Sequence, residues 1–224
     1  MHNLFVIFDM DGVIFDTERA ILDCWIEASR AYPVTESLVR ETFIKCIGTN
    51  NAQTTEIYNS TFSGILSPDD RESLWNESYG MFRSKYEGKC LPVKPGANEI
   101  LEFLRARGIR TGLATSTRKD IATRELQDAD LLQYFESITG GDSVRISKPD
   151  PEIYLLACKK MDVKPSDTMA IEDSYNGIRS AHAAGMRPIM VPDMVPADEE
   201  MMRLSESVCP DLFAVIDYIR GFIQ

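Results

Sequence analysis

Four short runs of unbroken apolar character punctuate the chain: Leu4–Phe8, Thr111–Thr115, Thr168–Ile171 and Pro188–Val191. A strand covered on both faces reads as a continuous apolar run, so each is expected to be a buried strand of a parallel sheet. Helical patterns lie between them. Ala97, Ile100, Leu101 and Leu104 form one apolar stripe, entered at Pro95-Gly96 and stopped at Gly108. Asp150-Pro151 opens a second helix through Tyr154 to Met161, with proline at its first position. A third covers Tyr175–Ala184, capped by Ser174 or Asp173 and ended at Gly185. Strand and helix in alternation predict an α/β fold, a doubly wound parallel sheet.

One stretch breaks the alternation. From Glu18 to Lys89 no buried strand is evident, while Ile21, Trp25 and Ala28 recur at helical spacing. Leu74, Tyr79, Met81, Phe82 and Tyr86 follow a looser helical pattern. An ordinary connection from strand to helix takes ~2–6 residues, so this stretch is expected to be an inserted helical subdomain. The expected division is 1–17 with 91–224 as the core and 18–90 as the inserted helical unit, and the short, turn-prone junctions at Phe15–Thr17 and Leu91–Gly96 are expected to let that unit move as a lid.

Composition narrows the function classes. The 224 residues carry a formal net charge of −11 and lack the Lys/Arg clusters that phosphate backbones require, so no nucleic-acid partner is expected. The apolar runs are too short for a membrane span, and Asp9 and Asp11 interrupt the one early run that a secretory signal would need. Cys24, Cys46, Cys90, Cys158 and Cys209 are odd in number and scattered, as expected of buried or inert thiols in a cytoplasmic, monomeric protein. With only His2 and His182 available, a histidine-rich zinc site is excluded, and His182 reads as a packed or surface residue of its helix. No G-x-S-x-G, P-loop or G-x-G-x-x-G is present. The chemistry must therefore run on carboxylates, lysine and hydroxyls.

Those groups gather where strands end. Asp9-Met10-Asp11-Gly12-Val13 follows the first strand, and alternate residues of an extended chain would aim both acids at one spot. Two such carboxylates 4 Å apart repel by about 4 kcal/mol at an effective dielectric near 20, so a cation or a shared proton is needed. Thr115-Ser116-Thr117 ends the second strand and offers hydroxyls and N–H groups to an oxyanion. Lys148 precedes Pro149-Asp150-Pro151, and Glu172-Asp173 ends the strand at Thr168–Ile171. In open α/β sheets, ligands bind beyond the carboxyl ends of strands.

D-M-D-G-V at 9–13, A-T-S-T at 114–117, S-K-P-D-P at 147–151 and I-E-D-S at 171–174 together resemble the haloacid dehalogenase superfamily of aspartyl-phosphate phosphotransferases. The chain is most similar to its group of β-phosphoglucomutases and small sugar-phosphate phosphatases, which share a run like Asp16-Thr17-Glu18. The resemblance implies a Rossmann-like core with a helical cap. It implies that Asp9 is the nucleophile and Asp11 the general acid/base, that Thr115 and Ser116 bind the transferring phosphoryl group, and that Lys148 neutralises it. It further implies Mg²⁺ held by Asp9, Asp11 (through its backbone carbonyl), Glu172 and Asp173.

The expected activity is Mg²⁺-dependent hydrolysis of a small phosphorylated metabolite, a sugar or polyol phosphate, through an aspartyl phosphate. The alternative is a phosphomutase. In β-phosphoglucomutases the cap supplies a histidine and an arginine, and the matching positions here are Ile21 and Asn51, neither of which can replace them. Arg19 and Lys45 read as exposed helix charges, and Thr49, Asn50, Asn51 and Gln53 as polar cap residues able to face a leaving group. Dehalogenation has no use for Asp11 or a metal cluster, and a non-catalytic phospho-ligand-binding regulator has no use for a full catalytic set.

Overall fold

The computed structural model describes residues 4–47, 49 and 51–223, with the backbone alone at Asn51. Its sheet holds six parallel strands: β1 (Phe5–Phe8), β2 (Thr111–Ala114), β3 (Ser137–Thr139), β4 (Thr168–Glu172), β5 (Arg187–Met190) and β6 (Ser207–Val208). They lie in the order β3-β2-β1-β4-β5-β6. Four are the apolar runs of the sequence. β3 and β6 are edge strands of three and two residues, too short to carry a pattern.

The helices in chain order are α1 (Thr17–Ser29), α2 (Glu36–Cys46), α3 (Asn51–Phe62), α4 (Pro68–Tyr86), α5 (Ala97–Ala106), α6 (Lys119–Asp128), α7 (Glu152–Met161), α8 (Tyr175–Ala183), α9 (Glu199–Leu204) and α10 (Leu212–Phe222). The chain divides into two compact units, one of Met1–Asp16 with Val93–Gln224 and one of Thr17–Pro92.

In the first unit the sheet is buried by helices on account of their stripes. Ile153, Tyr154, Ala157 and Met161 of α7 pack with Ala181 of α8 against Ile7, Ala114 and Ala170 of the strands. Ile100, Leu101 and Leu104 of α5 are buried as the stripe predicts, each contributing roughly 1.5–3 kcal/mol by leaving water. Pro151 caps α7 rather than opening its first turn: the Asp150 carboxylate accepts from Glu152 N at 2.9 Å, so the helix begins one residue later.

The second unit is held by aromatic rings. The Trp25 ring meets those of Phe43, Tyr58 and Trp75 at centroid distances of 5.2, 5.4 and 5.7 Å, from four different helices. Such edge and tilted pairs add about 0.5–1.5 kcal/mol each beyond burial. All five cysteines are free and four are buried, the burial pushing the thiols of Cys46 and Cys158 up to about 11. His182 is exposed, its Nδ1 3.1 Å from the carbonyl of Leu204. Among the described residues no helix is long and apolar enough to cross a membrane.

Candidate active site

The sheet order reverses direction between β1 and β4, which are neighbours although the chain visits β2 and β3 between them. Such a switch point leaves a crevice at the carboxyl ends of the two strands. Asp9 follows β1 directly, and its N–H donates to the Ile171 carbonyl at 2.9 Å, so it stays zipped to β4. Glu172 ends β4 and Asp173 follows. One carboxylate oxygen from each of Asp9, Glu172 and Asp173 lies within 4.8 Å of the others, and all three residues are buried.

Lys148 enters this cluster from the loop before α7. Its ammonium donates to Asp9 Oδ1 at 2.6 Å, to Glu172 Oε1 at 2.6 Å and to the Ala114 carbonyl at 3.0 Å. Three protons meet three acceptors, one each from the ends of β1, β2 and β4. Burial alone would lower the Lys148 pKa, but Asp9 and Glu172 outweigh it and hold the ammonium protonated beyond the usual lysine range. At Asp9 burial prevails in the other direction. It raises the carboxyl far above the ordinary value, Lys148 opposes the rise, and Glu172 and Asp11 add to it.

Glu172 gathers further donors. Besides Lys148, Oε1 accepts from the Tyr154 hydroxyl at 2.7 Å, while Oε2 accepts from the Ser174 hydroxyl at 3.2 Å and N–H at 3.4 Å. The Lys148 ammonium also sits 5.0 Å from the centre of the Tyr154 ring, a cation–π contact. Two glycines make room. Gly12 has φ +81°, and a Cβ there would stand 2.2 Å from Asp173 Oδ2. A Cβ at Gly177 would stand 2.0 Å from the Glu172 carboxyl.

Asp11 does not join that carboxylate group. The strand ends at Phe8, so the alternation expected to aim both acids at one spot does not extend to them. The Asp11 carboxylate instead faces the end of β2, accepting from the Thr117 hydroxyl at 2.8 Å and the Thr115 hydroxyl at 3.5 Å. Thr115 is buried and Ser116 exposed.

The donor set suits a divalent cation. Three buried carboxylates with one ammonium leave an uncompensated negative charge, and hard oxygens are the ligands Mg²⁺ prefers. In the Thr17–Pro92 unit, Ile21 is half-buried and Thr49 shares a 2.7 Å hydrogen bond with Thr54. Gly48, Asn50 and the side chain of Asn51 lie outside the described residues.

Residues 6–191 match the family model of haloacid dehalogenase-like hydrolases. The chain belongs to that family. Among relatives of these hydrolases, a phosphorylated carbohydrates phosphatase of Thermotoga maritima is 34% identical over 188 residues, covering 82% of each chain. The beta-phosphoglucomutase of Bacillus subtilis is 30% identical over 184 residues, 81% of this chain and 80% of that one. A solved beta-phosphoglucomutase-like structure from Thermotoga maritima superposes with a TM-score of 0.79 at 28% identity, covering 97% of this chain and 99% of the other.

Asp9, Lys148, Glu172 and Asp173, all read from the sequence as candidates, thus meet in one place, with Asp11 and Thr115 beside it. Tyr154 and Gly177 were not singled out for the site, while Thr117, read as a donor to an oxyanion, bonds Asp11, and Ser174, read as a helix cap, also reaches Glu172. Tyr154 sits in the apolar stripe of α7 and is itself core, so no polar pattern flags it.

Proposed function

We propose that the chain is a Mg²⁺-dependent phosphoric monoester hydrolase of the cytoplasm that cleaves a small phosphorylated metabolite, a sugar or polyol phosphate, through an aspartyl phosphate. The observation that carries this reading is the Lys148 ammonium bridging Asp9 and Glu172 inside a buried carboxylate cluster at the sheet's switch point. The named activities of the two relatives, on phosphorylated carbohydrate and on phosphoglucose, support the substrate class. The free cysteines agree with a reducing compartment.

In this reading Asp9 attacks phosphorus in line, and the ester oxygen departs with the bonding pair and a proton from Asp11. Water then attacks the aspartyl phosphate, returning a proton to Asp11 and the pair to the Asp9 carboxylate. Lys148 neutralises charge on the transferring group, and Thr115 and Ser116 at the end of β2 donate to its oxygens. Bound Mg²⁺, held by Asp9, Glu172, Asp173 and the backbone carbonyl of Asp11, would screen the carboxylates from the phosphate dianion. The 17–92 unit is the helical cap of this reading.

The likeness to a beta-phosphoglucomutase favours one rival, in which a sugar hydroxyl replaces water. Ile21 and Asn51, at the positions matched to the mutase histidine and arginine, offer no base for that hydroxyl and no grip on a second phosphate. Supplying β-glucose 1-phosphate with and without glucose 1,6-bisphosphate separates the two readings. Hydrolysis predicts free phosphate, here or in a wider screen of phosphorylated sugars and polyols, without need of the bisphosphate. Glucose 6-phosphate accumulating faster than free phosphate would promote the mutase.

A further inference from the structure

Asp11 is held by one hydroxyl in particular. Thr117 Oγ1 donates to Asp11 Oδ2 at 2.8 Å, whereas Thr115 Oγ1 reaches the same oxygen only at 3.5 Å, the limit of a hydrogen bond. Oδ1 of Asp11 accepts no hydrogen bond among the described residues. We propose that Thr117 is a positioning residue for proton transfer, holding the Asp11 carboxyl by Oδ2 so that Oδ1 exchanges the proton with the leaving oxygen. This rests on Asp11 being the general acid of the proposed reaction.

A hydroxyl has a single proton to give. Given to Oδ2, it makes that oxygen an acceptor, and the proton Asp11 carries as an acid is assigned to Oδ1. The second side-chain torsion of an aspartate is broad, so a hydrogen bond is what fixes the plane of its carboxyl group. The donor is itself pinned. Thr117 N–H donates to Thr115 Oγ1 at 3.0 Å, the Thr117 carbonyl accepts from Gly141 N at 2.9 Å, and its β-branched side chain has few rotamers. Thr115 thereby stays available to turn its hydroxyl toward a phosphoryl oxygen.

The balance of the step defines the test. As the Asp9–phosphorus bond forms, the phosphorus–oxygen ester bond breaks and the leaving oxygen takes its pair plus the proton from Oδ1. A nitrophenolate leaves readily without that proton and a phenolate does not. Because kcat/KM covers only steps through leaving-group departure, a series from p-nitrophenyl phosphate to phenyl phosphate isolates the proton donor.

Thr117→Val removes the hydroxyl at nearly constant shape. It should lower kcat/KM for phenyl phosphate ~10-fold or more beyond its effect on p-nitrophenyl phosphate, steepening the dependence on leaving-group acidity. Thr117→Ser should restore the wild-type slope. Equal losses on both esters, no loss on either, or a Thr117→Ser slope as steep as that of Thr117→Val would overturn the proposal. Asp11→Asn is the control. Its slope should be steeper still, and an unchanged slope in Asp11→Asn would instead remove Asp11 as the acid. Circular dichroism and melting of each variant report folding separately from the slope.

Discussion

A methyl group at position 177 would stand 2.0 Å from both oxygens of Glu172, so this glycine is space reserved for a carboxylate. Gly177→Ala should push Glu172 off its donors and loosen Lys148, lowering kcat/KM by at least ~10-fold in an assay of phosphate release. A variant with wild-type kcat/KM would show that the carboxylate position is unimportant. Glu125 of α6, near enough to Asp11 to feel its charge, gives a pH signature. Burial first, then Asp11 and Asp128, push its carboxyl up to about 7 against the pull of Arg124. The folded state therefore holds a proton that the unfolded chain releases near its ordinary value of 4.5, and stability declines as pH rises between these values. Glu125→Gln should accordingly raise the melting temperature at mildly alkaline pH and lose that advantage in acid. A difference independent of pH would contradict it. The principal carboxylates were legible because charged residues directly after apolar runs stand out, and Lys148 because it precedes the helix entry at Pro149-Asp150-Pro151. Tyr154 and Gly177 were not, nor was the pairing of Thr117 with Asp11, because each acts on a residue that only folding brings near.

At the scale of elements, Ser174 joins helix to site. Its Oγ accepts from Gly177 N at 3.1 Å as the N-cap of α8 and lies 3.2 Å from Glu172 Oε2. Ser174→Ala should destabilise the fold by about 1 kcal/mol, the usual worth of such a cap, and chemical denaturation would measure it. No change in the denaturation midpoint would mean that water replaces the hydroxyl on both sides. The strands β1, β2, β4 and β5 were legible because both faces are buried, which requires unbroken apolar runs. β3 and β6 were not: an edge strand of two or three residues is defined by its pairing partner rather than by its composition. In the 17–92 unit α1 and α4 were legible as periodicity, α2 and α3 were not, and the aromatic core around Trp25 joins all four helices without a local signature.

The whole molecule carries a net charge of −11, and three of its carboxylates are buried in one cluster with one ammonium. Relief of that charge by a bound cation should also stabilise the fold. Mg²⁺ at 100 times its Kd should stabilise the fold by about 2.7 kcal/mol, which for a chain of this size is a rise of several degrees in melting temperature. EDTA should reverse the rise and Asp173→Asn should blunt it. A melting temperature indifferent to Mg²⁺ would argue against a metal in the cluster.

The central claim is that Asp9 carries the phosphoryl group, and it can be tested on the enzyme directly. Protein mixed with an aryl phosphate and Mg²⁺, quenched in acid within the first turnovers and digested, should yield the peptide containing Asp9 with the added mass of one phosphoryl group. Reduction with borohydride should convert that residue to homoserine, and Asp9→Asn should give neither signal. A phosphoryl group found on any other side chain, or turnover without a covalent intermediate, would contradict the account.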